Sequence, residues 1–296
     1  MPRPNKLTVR RRPKGGSLRP RVRPHGSRSD LKAPRLLIFV HGFNNSQAEA
    51  SKTYRSMVKL LRGNVPTGGM ARLGAIWDFY WPGDQAARPL PIALIKGYKD
   101  SLDHVDEVGR MLAEFLAAQP RRQYVSIVAH SMGCRVALEV LRRARDSPSP
   151  DGYSGARIRG IFLLAAAVPV RQCRIGASAS LYSTALRGSA ERVFYSHSDW
   201  VLRCAFPLGQ PLRREERGPA VGLTGSPKPR WRSVQATGLG HGDYWHDPRV
   251  ATEIATGLGA RVIRTEPLEP LPEARLAKLS VSARKLAQLA LPTRLP

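Results

Sequence analysis

The sequence predicts an α/β fold in which helices flank a mostly parallel, doubly wound sheet, within a single domain that carries basic tails. Short apolar runs of β type alternate along the chain with segments in which apolar residues recur at helical spacing. In addition, 296 residues of which 42% are hydrophobic suffice for one sizeable core and do not indicate two full domains. We therefore expect one folded unit.

Each strand of the predicted sheet is a short apolar run bounded by polar, glycine-rich or proline-rich residues. The expected strands cover residues 36–40, 73–81, 124–129, 158–164, 192–196 and 231–237. Between them, Ser46 and Glu49 have the spacing of a capping box at the start of a helix, residues 103–115 form a second amphipathic helix, and a third follows residue 131. This alternation indicates parallel strands that are joined by helical crossovers.

Three segments differ in composition. Residues 1–34 are rich in Arg, Pro, Gly and Ser and contain few apolar residues, so we expect a disordered basic arm. Residues 35–260 hold the pattern of strands and helices and form the expected α/β domain. Residues 261–296 contain a proline-rich linker and then a basic segment, 273–291, in which leucines at helical spacing predict an amphipathic helix.

The strongest candidate for a functional site is the turn at residues 129–133, which read Ala-His-Ser-Met-Gly and lie between an apolar strand and a helix. A strand, a sharp turn and a helix in this order are the context of a nucleophile elbow, whose tight turn requires small residues on both sides of the serine. Ala129 stands where a glycine is usual. The following helix directs its first N–H groups to where an oxyanion would develop. Ser131 is therefore the expected nucleophile.

A serine nucleophile needs a base, and in this architecture the base is a histidine that follows both the serine and an acid in the chain. His197, His241 and His246 come after Ser131. His241 lies in a glycine-rich loop after the last expected strand, where the loop can bring its ring over the serine, and it is the expected base. His246 stays as an alternative, although the Asp-Pro pair at 247–248 looks like the start of a helix.

The acid that orients the histidine should follow the penultimate strand, and Asp199 does so. An acid in this position holds the imidazole in the right tautomer and stabilises its charged form. Asp243 and Asp84 are the alternatives, but Asp243 is so close to His241 in the sequence that a loop contact is the simpler role. Asp199 is the expected acid.

Two backbone N–H groups are expected to form an oxyanion hole, which binds the negative charge of the reaction. One belongs to Met132, directly after the nucleophile, and the other to Phe43, in the loop after the first expected strand. The asparagine side chains of this loop either pin it by hydrogen bonds or serve an ordinary turn. The residues expected to shape the two loops are His41, Gly42, Asn44, Asn45, His130 and Gly133.

Five motifs together point to one family. They are His-Gly-Phe-Asn-Asn at 41–45, Trp-Pro-Gly at 81–83, Gly-Tyr-Lys-Asp-Ser at 97–101, Ala-His-Ser-Met-Gly at 129–133 and Gly-His-Gly-Asp-Tyr at 240–244. With these motifs, residues 35–258 resemble a bacterial α/β-hydrolase family that is related to lipases and esterases. The resemblance implies an α/β-hydrolase fold for a catalytic domain at 35–260 and a triad of Ser131, Asp199 and His241. It implies no particular substrate.

These residues together predict a serine hydrolase of the esterase or lipase type. Ser131 would attack an ester, thioester or amide carbonyl with His241 as the base, and neither a metal nor an organic cofactor is expected. The small-molecule substrate would carry an acyl chain or an anionic group, because the segments expected to form a lid contain both apolar residues and arginines. Those segments are residues 90–95, 168–190 and 202–230. A transferase that uses the same acyl-enzyme is a close alternative.

The formal charge of +26 raises two alternatives of other classes. Residues 1–34 and 273–291 could make weak contact with nucleic acid or with an anionic membrane. The fold could also serve as a binding module without catalysis. No nucleic-acid-binding motif accompanies the charge, and a complete set of triad residues argues against a module that only binds.

The sequence gives two indications of the compartment. It contains no apolar run of the roughly 18 to 20 residues that a transmembrane helix needs, and no secretory signal of the usual form. Its three cysteines, Cys134, Cys173 and Cys204, lack metal-ligand spacing and favour reduced thiols. We therefore expect a cytoplasmic protein.

Overall fold

The computed structural model describes residues 5–11, 18–83, 91–145, 155–173, 190–210, 218–227 and 231–263, with the backbone alone at 91–98, 145, 172–173 and 208–209. Its strands are β1 (Lys6–Arg10), β2 (Leu18–His25), β3 (Arg35–Val40), β4 (Ala75–Tyr80), β5 (Tyr124–His130), β6 (Arg157–Leu164), β7 (Ala190–Tyr195) and β8 (Arg232–Gln235). Its α-helices are α1 (Arg28–Leu31), α2 (Gln47–Asn64), α3 (Met70–Leu73), α4 (Pro91–Ala117), α5 (Gly133–Arg145), α6 (Phe206–Gly209), α7 (Val221–Thr224) and α8 (Pro248–Gly257).

These strands form one sheet in the order β2-β1-β4-β3-β5-β6-β7-β8. Each neighbouring pair is parallel except β1 and β2, which are antiparallel. The central strands β3 and β5 are buried along almost their whole length, as their continuous apolar runs require when both faces of a sheet are covered. The predicted α/β fold with a mostly parallel sheet is confirmed.

Helices cover both faces of the sheet, which makes it doubly wound. On one face α4 packs against α5, and on the other α2 packs against α8. Tyr54, Met57 and Ile254 are fully buried in the second of these layers. The predicted capping box starts α2, since Ser46 and Glu49 each accept a hydrogen bond from the backbone N–H of the other. Within the described residues, no helix combines the length and the apolarity needed to cross a bilayer.

Some elements differ in extent from those that the sequence predicts. α4 begins at Pro91, well before residue 103, because proline is favoured in a first helical turn, where its missing N–H is not needed. Residues 91–95 of the expected lid therefore belong to a helix. The strand predicted at 73–81 starts later, since α3 precedes it and Gly74, with a φ of 78°, ends that helix. Other parts of the expected lid, 174–189 and 211–217, lie outside the described residues.

The expected disordered arm at 1–34 is wrong for residues 5–11 and 18–34. β1 pairs in parallel with β4, and β2 returns beside β1, so that the two strands form an N-terminal hairpin at the edge of the sheet. Leu7 and Val9 are fully buried, and Val22 is 6% exposed. Alternating apolar residues suit a strand with one buried face even where the intervening residues are basic. Residues 1–4, 12–17 and the expected C-terminal helix lie outside the described residues.

The hairpin is expected to contribute to stability. Leu7→Ala should lower the free energy of unfolding by about 2–4 kcal/mol, because it removes a fully buried side chain and leaves a cavity. Arg21→Ala, at an exposed position of β2, is the matched control and should change it by less than about 0.5 kcal/mol. Urea unfolding followed by circular dichroism measures both. Unchanged stability in Leu7→Ala would mean that the hairpin does not belong to the folded domain.

Candidate active site

Three predicted side chains come together at the carboxyl edge of the parallel sheet. Ser131 follows β5 directly, Asp199 lies four residues after the end of β7, and His241 lies in the loop after β8. Parallel strands direct their carboxyl ends to one edge, which is where open α/β sheets place ligand sites. The residues that the sequence separates by up to 110 positions are therefore neighbours in the fold.

The turn at Ser131 has the strained geometry of a nucleophile elbow. Ser131 has a φ of 53°, a left-handed conformation that is costly for a residue with a side chain. Its N–H donates to the carbonyl of Leu164 at 2.9 Å, which fixes the turn against β6. The predicted small residue Gly133 is required, because a Cβ there would lie 2.3 Å from the His41 carbonyl oxygen. At Gly42 a Cβ would lie 2.8 Å from the Cβ of Ser131.

A continuous chain of hydrogen bonds joins the three side chains. His241 Nε2 lies 2.8 Å from Ser131 Oγ, and His241 Nδ1 lies 2.9 Å from Asp199 Oδ2. The carboxylate can only accept from Nδ1–H, so Nε2 of the neutral ring is left to accept from the serine hydroxyl. Asp199 is fully buried, whereas the His241 side chain is 19% exposed. The ring is therefore fixed on its inner side and reaches solvent on its outer side.

Backbone contacts fix the position of Asp199. Its Oδ1 accepts from the Leu202 N–H at 3.0 Å, and its own N–H donates to the Ser196 carbonyl at 3.2 Å. The carboxylate thus has one oxygen on the backbone and the other on His241. This leaves little freedom for the carboxylate to turn away from the imidazole.

His130 supports the loop that carries His241. Its Nε2–H donates to the His241 carbonyl oxygen at 2.6 Å, and the two imidazole rings have centroids 4.9 Å apart. Burial lowers the pKa of His130 to about 3, so the ring is neutral at physiological pH. The sequence predicts a role in shaping the loop for this residue, and its contacts are those of a positioning residue.

The loop after β3, residues 41–45, lies against the elbow. His41 Nδ1–H donates to the Gly42 carbonyl at 2.9 Å, its Nε2 accepts from the Trp81 N–H at 3.3 Å, and its ring stacks on Trp81 with centroids 5.5 Å apart. Burial lowers the pKa of His41 to about 3. Asn45 Nδ2 donates to the Phe43 carbonyl at 3.0 Å. The loop is thus held by internal contacts and by the end of β4.

The backbone N–H groups of Asn44 and Met132, which lie in the two loops at the site, differ in their partners. Asn44 is left-handed with a φ of 58°, as asparagine tolerates, and its N–H donates to the Gly83 carbonyl at 2.5 Å. Met132 stands directly before α5, and within the described residues nothing accepts a hydrogen bond from its N–H. That group is therefore available to a ligand beside Ser131.

Arg10, in the N-terminal hairpin, also contacts this loop, and the motifs of the sequence do not indicate this contact. Its Nη1 donates to the Asn45 carbonyl at 3.4 Å, and the residue is only 3% exposed. The alternation of Leu7 and Val9 is the signal that could have placed this segment in the sheet. The hairpin thus supports the loop after β3 as well as the edge of the sheet.

Comparison with known proteins places the chain in a family. A family model described as "Alpha/beta hydrolase of unknown function (DUF900)" matches residues 26–215, which is well over half of the 296 residues. The chain belongs to this α/β-hydrolase family. The matched range contains Ser131 and Asp199, while His241 lies beyond it. A search among curated proteins found no match.

Several solved structures are similar to this α/β hydrolase at low sequence identity. A Thermus thermophilus protein is 16% identical, with 77% of this chain and 90% of that chain covered and a TM-score of 0.38. A hyperthermophilic esterase from the archaeon Pyrobaculum calidifontis is 15% identical, with 80% and 77% covered and a TM-score of 0.36. A monoacylglycerol lipase from Paleococcus ferrophilus is 13% identical, with 75% and 93% covered and a TM-score of 0.35.

The alternative residues that the sequence leaves open lie elsewhere. His246 Nδ1 contacts Ser56 Oγ at 2.8 Å near the surface, and Asp247 caps α8 as its Asp-Pro sequence predicts. Asp243 Oδ2 accepts from the Gly240 N–H at 2.7 Å and braces the loop of His241. Asp84 lies outside the described residues. Within the described residues, no group of three or more His, Cys, Asp and Glu side chains could hold a metal ion.

The two neutral, buried histidines are expected to make the fold sensitive to acid. Between about pH 6.5 and pH 3 the unfolded chain binds protons at His41 and His130 that the folded chain excludes. The contribution of the two rings to the free energy of unfolding is complete above pH 6.5. Below this pH, the contribution of each ring falls by about 1.4 kcal/mol for every pH unit. Burial raises the pKa of Asp78 to about 6, so its contribution has the opposite sign and is lost as the pH rises through 6.

As the pH falls from 6 to 4, these three groups together should lower the free energy of unfolding by about 1.4 kcal/mol per pH unit. The two histidines lower it, and the one carboxyl group raises it. Urea unfolding at a series of pH values measures this slope. His130→Gln removes one of the two titrating rings and should reduce the slope by about 1.4 kcal/mol per pH unit. An equal slope in His130→Gln and the parent chain would contradict the assignment of the acid sensitivity to these rings.

Proposed function

We propose that this α/β hydrolase is a serine hydrolase that cleaves an ester, thioester or amide through an acyl-enzyme on Ser131. The observation that carries the proposal is the chain of hydrogen bonds of 2.8 and 2.9 Å from Ser131 Oγ through His241 to the buried Asp199. It gives a weak nucleophile a base within proton-transfer distance, and gives the base an acid that sets its tautomer.

In the first step, the proton of Ser131 Oγ passes to His241 Nε2 as the oxygen forms a bond with the substrate carbonyl carbon. The carbonyl electrons move to its oxygen, and the N–H groups of Met132 and Phe43 would bind this oxyanion. When the tetrahedral intermediate collapses, the bond to the leaving group breaks, and that group takes the proton from Nε2. The product of this step is the acyl-enzyme.

In the second step, water replaces the leaving group. His241 Nε2 takes a proton from the water as its oxygen bonds to the acyl carbon, and then returns the proton to Ser131 Oγ as the acid product leaves. Asp199 keeps its charge throughout and stabilises the imidazolium that exists in both steps. An acceptor alcohol in the place of water would make the protein an acyltransferase, which analysis of the products distinguishes from a hydrolase.

The proposed substrate is a small ester-like molecule with an acyl chain or an anionic group. The proposed compartment is the cytoplasm. In support of that, Cys134 and Cys204 are both free thiols within the described residues.

Cys134 lies beside the proposed nucleophile, and its buried thiol donates to the Ala129 carbonyl at 3.2 Å. Burial raises the pKa of Cys134, so this thiol beside the elbow stays protonated and does not compete with Ser131 as a nucleophile.

Pre-steady-state hydrolysis of p-nitrophenyl esters tests the proposal. An acyl-enzyme predicts a burst of about one equivalent of p-nitrophenol per folded chain, followed by slower turnover. Acetate, butyrate and octanoate esters compared side by side show whether the site accepts an acyl chain. Release of p-nitrophenol no faster than in buffer, for each of the three esters and a folded protein, would contradict the proposal.

A further inference from the structure

A cleft of about 130 Å³ lies at the amino ends of the parallel strands, at the edge of the sheet opposite to Ser131. Its wall is formed by the first residues of β3, β5 and β7, by α3 and by the residues that follow α8. The side chains that matter here are Arg35, Arg72, Tyr124 and Arg159. None of them takes part in the chemistry of Ser131.

Positive charge dominates this cleft. Three of its eleven lining residues are arginines and none is Asp or Glu. Elsewhere in the fold, arginines such as Arg110 and Arg192 form ion pairs with glutamates. Within the described residues, Arg35, Arg72 and Arg159 have no carboxylate partner. The fold therefore places three arginines around one cleft without a carboxylate to neutralise them.

The ring of Tyr124 contacts two of the three guanidinium groups. The Cζ of Arg35 lies 5.8 Å from the centroid of its ring, and the Cζ of Arg159 lies 5.2 Å from it. Each contact has the distance of a cation–π interaction, which stabilises a cation without cancelling its charge. Both groups keep their N–H donors for a further partner.

An irregularity in the sheet places Arg159. Val125 pairs with Ile158 and Ser126 pairs with Gly160, so Arg159 is an extra residue without a partner on β5. Such a β-bulge redirects a side chain and is frequent beside functional sites. The exposed Arg159 lines the cleft as a result.

A glycine brings Arg72 to the same place. Gly74, which ends α3, has a φ of 78°, and a Cβ there would lie 2.4 Å from the Arg35 carbonyl oxygen. Only a residue without a side chain lets α3 approach the start of β3 so closely. This close approach of the two elements puts Arg72 and Arg35 on the lining of one cleft.

We propose that this cleft binds a phosphate group, either as the free ion or as the end of a phosphate monoester, through Arg35, Arg72 and Arg159. The planar guanidinium fork matches the oxygen geometry of phosphate, and charge-assisted bonds of this kind are strong. A cleft of one sign also raises the local concentration of anions. The volume is about ten times the 10–15 Å³ or so that one water needs, which leaves room for a phosphate group.

Titration of the full chain with inorganic phosphate, at constant ionic strength kept with chloride and followed by NMR, tests the proposal. Saturating shifts are expected at the amides of Tyr124, Ala190 and Gly259. Arg72→Gln and Arg159→Gln alter exposed side chains, so the fold should survive, and each should weaken phosphate binding at least tenfold. Arg62→Gln, at an exposed arginine of α2 that does not line the cleft, is the matched control and should bind phosphate as the parent does.

The outcomes separate the two sources of phosphate. Equal or tighter binding of methyl phosphate would identify the end of a larger ligand, and its exclusion would identify the free ion. Shifts that do not saturate, or equal weakening in Arg62→Gln, would overturn the proposal. Ester hydrolysis by Arg159→Gln should equal that of the parent chain, because the two sites lie at opposite edges of the sheet.

Discussion

Ser131→Ala and His241→Ala are each expected to lower kcat for ester hydrolysis by about 10⁴- to 10⁶-fold, because each removes one half of the nucleophile and base pair. The two residues act as one unit, joined by a hydrogen bond of 2.8 Å. The double variant should therefore lose little more activity than either single variant. Steady-state hydrolysis of the ester that the intact protein cleaves best measures all three.

His246→Ala is the matched control for the histidine. His246 is the other candidate for the base that the sequence leaves open, and it contacts Ser56 near the surface, away from Ser131. Its replacement should change kcat by no more than a few-fold. A large loss in His246→Ala with activity retained in His241→Ala would reverse the two roles.

Asp199→Asn is expected to lower kcat by about 10⁴-fold while the protein stays folded. An amide in place of the carboxylate can keep a hydrogen bond to the ring, but when it presents NH₂ it favours the tautomer that carries its proton on Nε2. That nitrogen then cannot accept the proton of Ser131. The buried position of Asp199 adds to the effect, because no water can replace the carboxylate there.

Asp243→Asn is the matched control for this substitution. Its Oδ2 accepts from the Gly240 N–H at 2.7 Å, and an asparagine oxygen can accept the same bond. We expect Asp243→Asn to lower kcat far less than Asp199→Asn does. Equal losses in the two variants, with equal stability in urea, would show that loop support rather than the tautomer of His241 is being measured.

The central sheet and the site loops can be predicted because their signals are local. β3 and β5 are short and largely apolar, as expected when both faces of a strand are buried. The turn at 129–133 is predicted from five residues, because a serine is flanked two positions away on either side by small residues where a strand meets a helix. Chain order, the glycine-rich loop of His241 and the place of Asp199 after the penultimate strand then favour these two residues, which the structure brings within hydrogen-bond distance of each other.

The N-terminal hairpin escapes prediction because composition and pattern disagree there. Averaged over residues 1–34, the excess of Arg, Pro and Gly indicates disorder. The two fully buried residues of β1, Leu7 and Val9, alternate with Thr8 and basic residues, and such a short alternation weighs little against the average. The partner strand, β4, lies about 70 residues further along the chain, so the energy that orders the hairpin is non-local.

Side-chain contacts between elements that are distant in the sequence cannot be predicted from the sequence either. The contact of Arg10 with the loop at Asn45 depends on how the hairpin joins the sheet. The bulge that places Arg159 depends on the register between β5 and β6, which no local pattern reveals. Both arginines look like ordinary surface charges until the strands are paired.

Labelling with a fluorophosphonate distinguishes an activated serine from an ordinary one, because the probe reacts with a serine hydroxyl only where the surrounding site activates it. We expect one label per chain, located on Ser131 by mass spectrometry of the digested protein. Labelling should be absent in Ser131→Ala, strongly slowed in His241→Ala and unchanged in His246→Ala. A folded protein that takes up no label, or that takes it up at another residue in the same way in Ser131→Ala, would contradict the proposal that this protein is a serine hydrolase.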